Sequence, residues 1–315
     1  MTAVRVATRG SLLARTQSGL VADALRQRLD REVELVEVRT QGDADQRTPL
    51  AQLGGTGVFV VAVREALLRG EADVAVHSLK DLPTAPAPGL RLAAVPERED
   101  VRDVICARDG ASLAELPAGA RVGTGSPRRA AQLRALRPDL DVVPVRGNVD
   151  TRLRKVSEGE LDAVVLARAG LARLGRLDAV TEVLEPDQML PAPGQGALAV
   201  ECRDVEDDAA LLDALRHLDD DASRAAVVAE RSLLAALEAG CSAPVGAHAT
   251  VTSEDGAPVV HLTGSVVSDD GRTQVRESAS GPAVDAERVG RDLASALLAA
   301  GAPGLLSVPS NGIAP

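Results

Sequence analysis

The chain has 315 residues, long enough for two or three domains, because single cores seldom grow beyond roughly 250–300 residues. It is 45% hydrophobic and 26% charged, a globular balance, and Phe59 is its sole aromatic residue, so its cores must be built from Ala, Val and Leu. A net charge of −11 argues against a nucleic-acid surface, which needs cations to neutralise phosphates.

Cysteines and apolar runs exclude more. Three widely spaced cysteines and four histidines fit neither a disulfide framework nor a metal-ligand pattern, so no metal is expected. No apolar run approaches the ~20 residues of a membrane span, so no membrane contact is expected. MTAVRVATRG lacks the apolar core of a signal peptide, which predicts a cytoplasmic location. In so acidic a chain, local gatherings of arginine are informative.

Strand and helix patterns alternate through the first two-thirds. VRVATRG reads as a strand and SLLARTQSGLVADALRQRL as an amphipathic helix with Ser11 as N-cap. VELVEVRT is a second strand, VFVVAVREALLRG a helix and ADVAVHS a third strand. After PTAPAPG come VRDVICAR, then ARVGTG leading into SPRRAAQLRALRP, DVVPVRG into NVDTRLRKVSEG, and LDAVVLA into ARAGLARLG. Short strands alternating with helices predict parallel sheets covered on both faces. ALAVECR is followed by a helical stretch from Asp208 to Ala239, broken near DDDAS. VGAHATVT, PVVHLTGSVVS and RTQVRESAS then read as an antiparallel meander closed by one helix, about Val284 to Ala300. The sequence therefore predicts an α/β region followed by a small α+β domain.

In parallel α/β sheets, ligands bind at the C-terminal ends of strands, where helix N-termini offer free N–H groups. Arginines recur at those positions. Arg9 ends the first strand; Arg128 and Arg129 follow a glycine turn, a Ser126 cap and Pro127 at the first helical position; Arg146 ends DVVPVR; Arg152 lies in the next helix and Arg173 in the helix after LDAVVLA. One such arginine reads as a solvated charge, but six at equivalent junctions point to a ligand with several acidic groups, since guanidinium grips carboxylate or phosphate in bidentate fashion. GTGSPRR lacks the lysine and the following Ser or Thr of a phosphate-binding loop. HSLKDLPT places His77, Ser78, Lys80 and Asp81 at the mouth of a sheet, where an aspartate serves either as general acid or base or as a loop partner of Lys80. Cys106 and Cys202 lie in apolar strands and read as buried thiols, whereas Cys241 in LEAGCSAPVG sits in a glycine-flanked turn with an accessible sulfur.

In order along the chain, VATRGSLLA, TPLAQLGGTGVF, DVAVHSLKDLPT, VGTGSPRR, VRGNVDTRL, LARAGLARLG, LPAPGQGALAVECR and EAGCSAPVG resemble the motifs of the porphobilinogen deaminase (hydroxymethylbilane synthase) family over almost the whole length. The resemblance implies a transferase of tetrapyrrole biosynthesis. Such an enzyme adds porphobilinogen units head to tail onto a covalent dipyrromethane primer, each losing ammonia, and releases hydroxymethylbilane by hydrolysis. It implies that Cys241 carries the dipyrromethane through a thioether and that Asp81 is the catalytic carboxylate, stabilising the azafulvenium-like cation formed when ammonia leaves. Lys80 and Arg9 join Asp81 among the catalytic residues. Lys80, Asp81, Ser126, Arg128, Arg129, Arg146 and Gln195 are implied around the cofactor, and Arg9, Ser11, Arg146, Arg152 and Arg173 around the substrate carboxylates.

The implied architecture is two periplasmic-binding-protein-like α/β domains with a cleft between them, plus a small C-terminal α+β domain. Domain 1 would hold residues 1–98 and a returning segment 197–218, domain 2 residues 99–196, and domain 3 residues 219–315 with the cofactor cysteine. A monomer is implied, with porphobilinogen as its small-molecule partner. The chain departs from many relatives in GGTGVFVVA, where Thr56 and Val61 stand in place of common lysines. Two other readings of the residues compete: a two-lobed, non-catalytic receptor for a small polyanion, and a phosphate-handling transferase built on GTGSPRR.

Overall fold

A computed structural model describes residues 3–38, 58–205, 207–239 and 243–306. The glycine-rich segment with Thr56, and Cys241 itself, lie outside the described residues.

The first sheet has the order β2-β1-β3-β10-β4, built from β1 (Val4–Arg9), β2 (Val33–Val38), β3 (Val74–Ser78), β4 (Leu90–Ala94) and β10 (Leu198–Arg203). The second has the order β7-β6-β8-β5-β9, from β5 (Asp103–Ala107), β6 (Arg121–Thr124), β7 (Asp141–Pro144), β8 (Ala163–Ala167) and β9 (Glu182–Leu184). The two share one topology. In each, three strands pair in parallel and the next runs antiparallel to its neighbours: β10 against β3 and β4, and β5 against β8 and β9. This corrects the expectation of wholly parallel sheets. The antiparallel strand of each sheet is the one the chain enters on crossing from the other sheet, so it arrives at the end where the parallel strands finish.

Helices form where apolar spacing and caps coincide. Helix α1 (Leu12–Arg26) is capped by Ser11, which accepts from the Ala14 amide, and buries Val21, Ala22 and Leu25. Helix α2 (Val58–Leu68) precedes β3. Helix α3 (Pro127–Leu136) has Ser126 as its cap, accepting from Arg129 N, with Pro127 at its first position as the sequence predicts. Asn148 caps α4 (Val149–Ser157), and α5 (Arg168–Arg173) follows β8 directly. With a single aromatic residue in the whole chain, the cores interlock aliphatic side chains: Val6, Val74, Val200 and Leu215 in one cluster, Ile105, Val122, Leu133 and Val165 in another.

The C-terminal unit is an antiparallel sheet, β11 (Val245–Glu254), β12 (Ala257–Val267) and β13 (Gln274–Pro282), against which α7 (Asp221–Ala236) and α8 (Ala286–Ala299) pack through Leu233, Leu262, Val289 and Leu293. Helix α6 (Ala209–Arg216) packs against the first sheet instead, and α9 (Pro303–Leu306) closes the described chain. The expected class, two α/β units and a small α+β unit, is met.

One buried carboxylate ties the three units together. Glu230 on α7 is fully buried and accepts from both Arg98 η-nitrogens at 2.8 and 2.9 Å, on the first crossing. It also accepts from Gly194 N on the second crossing and Ala249 N on β11, each at 2.7 Å. Four charge-assisted donors offset the cost of burying that charge.

Candidate functional site

The turn after β3 is a single helical turn, Leu79–Asp81, at the mouth of the first sheet. Leu79 is fully buried and donates its amide to Ala197 O at 3.0 Å. Ser78 Oγ accepts from Gln17 Nε2 on α1 at 2.9 Å, and Arg231 on α7 donates to the carbonyls of Leu82 and Pro83 at 2.8 and 2.7 Å. The turn is thus held on both sides, while Asp81 makes no hydrogen bond or ion pair among the described residues. Lys80 points inward, its Nζ 3.3 Å from Gln195 Oε1. Burial, and then the nearby Arg129 and Arg128 charges, lower its ammonium to about 8 against the smaller opposing pull of Asp81 and Asp103.

Gln195 belongs to PGQGA on the second crossing and is fully buried. Its Nε2 donates to Asp103 Oδ1 and to Val101 O, both at 2.8 Å, and its Oε1 also faces Arg129 Nη2 at 3.4 Å. The amide therefore joins the mouth of the first sheet (Lys80) to that of the second (Asp103 and Arg129). The glycine beside it is obligatory: Gly196 has φ +87°, and a Cβ there would come within 2.3 Å of Glu99 O on the first crossing.

At the mouth of the second sheet Asp103, completely buried, receives Arg128 Nη2 at 2.7 Å on one oxygen, and Arg129 Nε at 3.0 Å and Nη2 at 2.7 Å on the other. Arg128 Nη1 goes to Leu190 O and Arg129 Nη1 to Val165 O. Burial by itself would raise the Asp103 carboxyl, but the two guanidinium groups hold it well below the usual carboxylate range. Burial also lowers Arg128, opposed by Asp103, and its buried Nε has no hydrogen-bond partner among the described residues. Both arginines are 5% exposed or less, so they face the site from beneath rather than as open forks.

The remaining arginines sit higher. Arg152 donates Nε to Gly147 O at 2.9 Å and is lowered to about 10 by burial and by Arg129, with Asp81 pulling the other way. Gly125 in GTGSPRR is needed beside the chain after β7, because a Cβ there would lie 2.7 Å from Val145 O. Arg173 reaches back from α5 to Gly196 O at 2.6 Å and is lowered by burial, against Glu99. Arg9 ends β1, Ser11 caps α1, and Arg146 follows β7; all three are partly buried.

Structure thus brings Lys80, Asp81, Arg128, Arg129, Arg152 and Gln195 into mutual electrostatic or hydrogen-bond reach. Cys106 and Cys202 are buried as expected, and burial pushes the Cys106 thiol up to about 12. Sequence reasoning missed Asp103, Gln17 and Glu230. A charged residue opening the apolar run DVIC was the available signal for Asp103; nothing local marked the other two. A separate cavity of about 530 Å³ lies where the first crossing meets the C-terminal unit, lined by Arg98, Asp100, Arg102, Glu185 and His248, and none of the expected site residues borders it.

Fold and site define a class: a mixed α/β protein whose two matched sheets, joined through Gln195, gather Lys80, Arg128, Arg129 and Arg152. The family models "Porphobilinogen deaminase, dipyromethane cofactor binding domain", over residues 4–212, and "Porphobilinogen deaminase, C-terminal domain", over residues 224–299, both match, and the chain belongs to the porphobilinogen deaminase family. Porphobilinogen deaminase 1 of Streptomyces coelicolor is 59% identical over 314 residues, covering 96% of this chain and 97% of that protein. The Nocardia farcinica porphobilinogen deaminase is 57% identical over 310 residues, covering 97% and 88%, and that of Mycobacterium tuberculosis 56% over 308, covering 96% and 98%. Among solved structures, the Bordetella pertussis BvgS VFT2 domain is similar at a TM-score of 0.42 and 19% identity, covering 68% of this chain and 85% of that one. The chain is therefore a hydroxymethylbilane synthase-type transferase of tetrapyrrole biosynthesis with a dipyrromethane cofactor domain.

Proposed function

We propose that the cationic pocket holds the dipyrromethane and the incoming porphobilinogen, with Cys241 as the attachment point and Asp81 as the catalytic carboxylate. The observation that carries this is a charge imbalance. Lys80, Arg128, Arg129 and Arg152, four cations, act on one another around only two carboxylates, Asp81 and Asp103. Burial is the main cause that lowers Lys80 to about 8 and Arg152 to about 10, and the Arg129 charge adds to both. Acetate and propionate groups supply what is missing. Arg128 Nε, without a hydrogen-bond partner among the described residues, fits the same donor set.

When bound, the dipyrromethane supplies a nucleophilic pyrrole α-carbon and a tether that keeps the product chain in place. Lys80, Ser126, Arg128, Arg129, Arg146 and Gln195 would hold its acidic groups or fix those that do; Arg9, Ser11, Arg146, Arg152 and Arg173 would receive the substrate carboxylates. Asp81 then faces the pyrrole N–H groups. Its carboxylate, hydrogen-bonded to no protein donor among the described residues, stabilises the positive charge that develops as ammonia departs and takes up the displaced proton. Arg9 and Lys80 complete the catalytic set by holding the substrate side chains against it. Four additions and one hydrolysis consume four porphobilinogen and one water and release four ammonia with each hydroxymethylbilane, as the family's chemistry requires.

We further propose the domain division 1–98 with 197–218, 99–196 and 219–315; membership of β10 in the first sheet and β5 in the second supports it. A cytoplasmic monomer that binds neither nucleic acid nor membrane accords with the acidic charge and with the absence, among described residues, of a helix long and apolar enough to cross a membrane. Incubating the protein with porphobilinogen and measuring hydroxymethylbilane and ammonia together tests the reading. Four ammonia per product supports it; binding without ammonia release would favour the polyanion receptor. The phosphate-transferase reading is disfavoured by the missing lysine in GTGSPRR, and thermal stabilisation by a nucleotide would favour it.

A further inference from the structure

We propose that Glu201, acting through His77 and Arg64, is a positioning residue that sets the height of the Lys80–Asp81 turn; this deepens the functional reading above and rests on it. Glu201 lies in β10, with its side chain 4% exposed. Arg64 of α2 grips it with both fork positions, Nε to Oε2 at 2.9 Å and Nη2 to Oε1 at 2.7 Å. From the other side, His77 Nε2, at the end of β3, faces Oε2 at 3.3 Å, at an angle that leaves it without a directed hydrogen bond. Burial would raise the Glu201 carboxyl, but His77 and Arg64 hold it down at about 2.

Buried ion pairs contribute little net stability compared with apolar residues of the same shape. What such a pair adds is direction: a bidentate fork fixes the plane of the carboxylate, and a fixed carboxylate fixes the imidazole beside it. The location gives that direction a use. β10 pairs with β3 in the register Ala199 to His77 and Leu198 to Ser78. Beyond the register, Ala197 O takes the Leu79 amide at 3.0 Å and Gln195 Oε1 takes Lys80 Nζ at 3.3 Å. One returning segment, 195–201, therefore grips residues 77, 79 and 80 in succession. Asp81 follows the last grip and has no hydrogen bond of its own among the described residues, so its carboxylate is placed by that segment together with the Gln17 and Arg231 contacts that flank the turn. A displacement on the order of 1 Å is enough to lower a turnover rate roughly a hundredfold. Among the described residues, none of the three hydrogen-bonds to Lys80, Asp81 or the site arginines, so none is a catalytic residue.

The parent enzyme is measured first, because turnover of porphobilinogen there establishes the functional reading independently. Arg64→Met/Glu201→Leu removes the ion pair without stranding a charge, and Arg64→Lys, which keeps the charge but loses the fork, is the milder companion should the double variant fail to fold. Melting temperature, primer occupancy by intact mass, and kcat and KM for porphobilinogen per primed molecule are then compared. Expected for the double variant is a melting temperature within a few degrees of the parent, KM within threefold and kcat lower by tenfold or more, with Arg64→Lys in between. A kcat within twofold of the parent in whichever variant folds, or a change confined to KM, overturns the proposal.

Discussion

The two five-stranded sheets have the same strand order, yet their mouths carry different chemistry. In the first, β1 leads to Arg9 and Ser11 and β3 to Lys80 and Asp81, with an amide, Gln195, arriving on the antiparallel strand. In the second, β6 leads to Ser126, Arg128 and Arg129, with a carboxylate, Asp103, as the first residue of the antiparallel strand. Among the described residues, the first mouth leaves its aspartate without a hydrogen-bond donor; the second surrounds its aspartate with three donors from two arginines. One scaffold therefore yields a carboxylate without a hydrogen bond on one side, among the described residues, and a neutralised, rigid one on the other, and burial with partner geometry makes the difference.

The same substitution made in both lobes separates these roles. Asp81→Asn should lower kcat by about 10²–10⁴, the usual contribution of a positioned acid or base, while the melting temperature stays near that of the parent. Steady-state kinetics with calorimetry on the primed enzyme would show it. Asp103→Asn should do the reverse: stranding two buried guanidinium groups costs about 3–5 kcal/mol, read from denaturant unfolding. Acid should mimic it. With its folded-state pKa depressed, Asp103 contributes stability that is fully present above the ordinary carboxylate value of about 3.9 and is lost as pH falls below it, so the parent should show an acid-side decline in unfolding free energy that Asp103→Asn reduces.

Lys80 gives a smaller effect at alkaline pH. Its ammonium is held near 8, so the positive charge offered to substrate carboxylates fades above that pH and KM for porphobilinogen should rise several-fold between pH 7 and 9. Lys80→Arg keeps its charge throughout and should flatten the profile; a parent profile that is already flat would remove Lys80 from anion binding. Stability moves oppositely, since the folded state binds fewer protons than the unfolded one between about 8 and 10.5, and Lys80 then adds to stability as pH rises. Smallest of all is Val61→Lys. Val61 is 55% exposed at the start of α2, and restoring the lysine common in relatives should change KM by less than about twofold, as befits an exposed charge screened by salt.

Much of this comparison was legible in the chain. Ser11, Ser126 and Pro127 announce their helix starts because capping is local chemistry, readable within four residues. The arginines at strand ends were visible because a topological position, the end of a parallel strand, coincides with a sequence position. What they contact was not visible: Arg128 and Arg129 meet Asp103 across about 25 residues and a change of sheet. The antiparallel insertion of β5 and β10 was hidden for a related reason, since VRDVICAR and ALAVECR read as buried strands whichever way they run. Gln17, Glu230 and Glu201 act through partners as far as 137 residues away, and no local periodicity records such pairings.

The central claim is that Cys241 anchors the primer to which this cationic pocket is fitted. Intact mass of the purified protein, with a peptide map across residues 238–244, tests it most directly. The account predicts excess mass equal to two linked pyrrole units, confined to the Cys241 peptide and absent from Cys241→Ser, which should form no hydroxymethylbilane. An unmodified Cys241 that stays bare after incubation with porphobilinogen would contradict it.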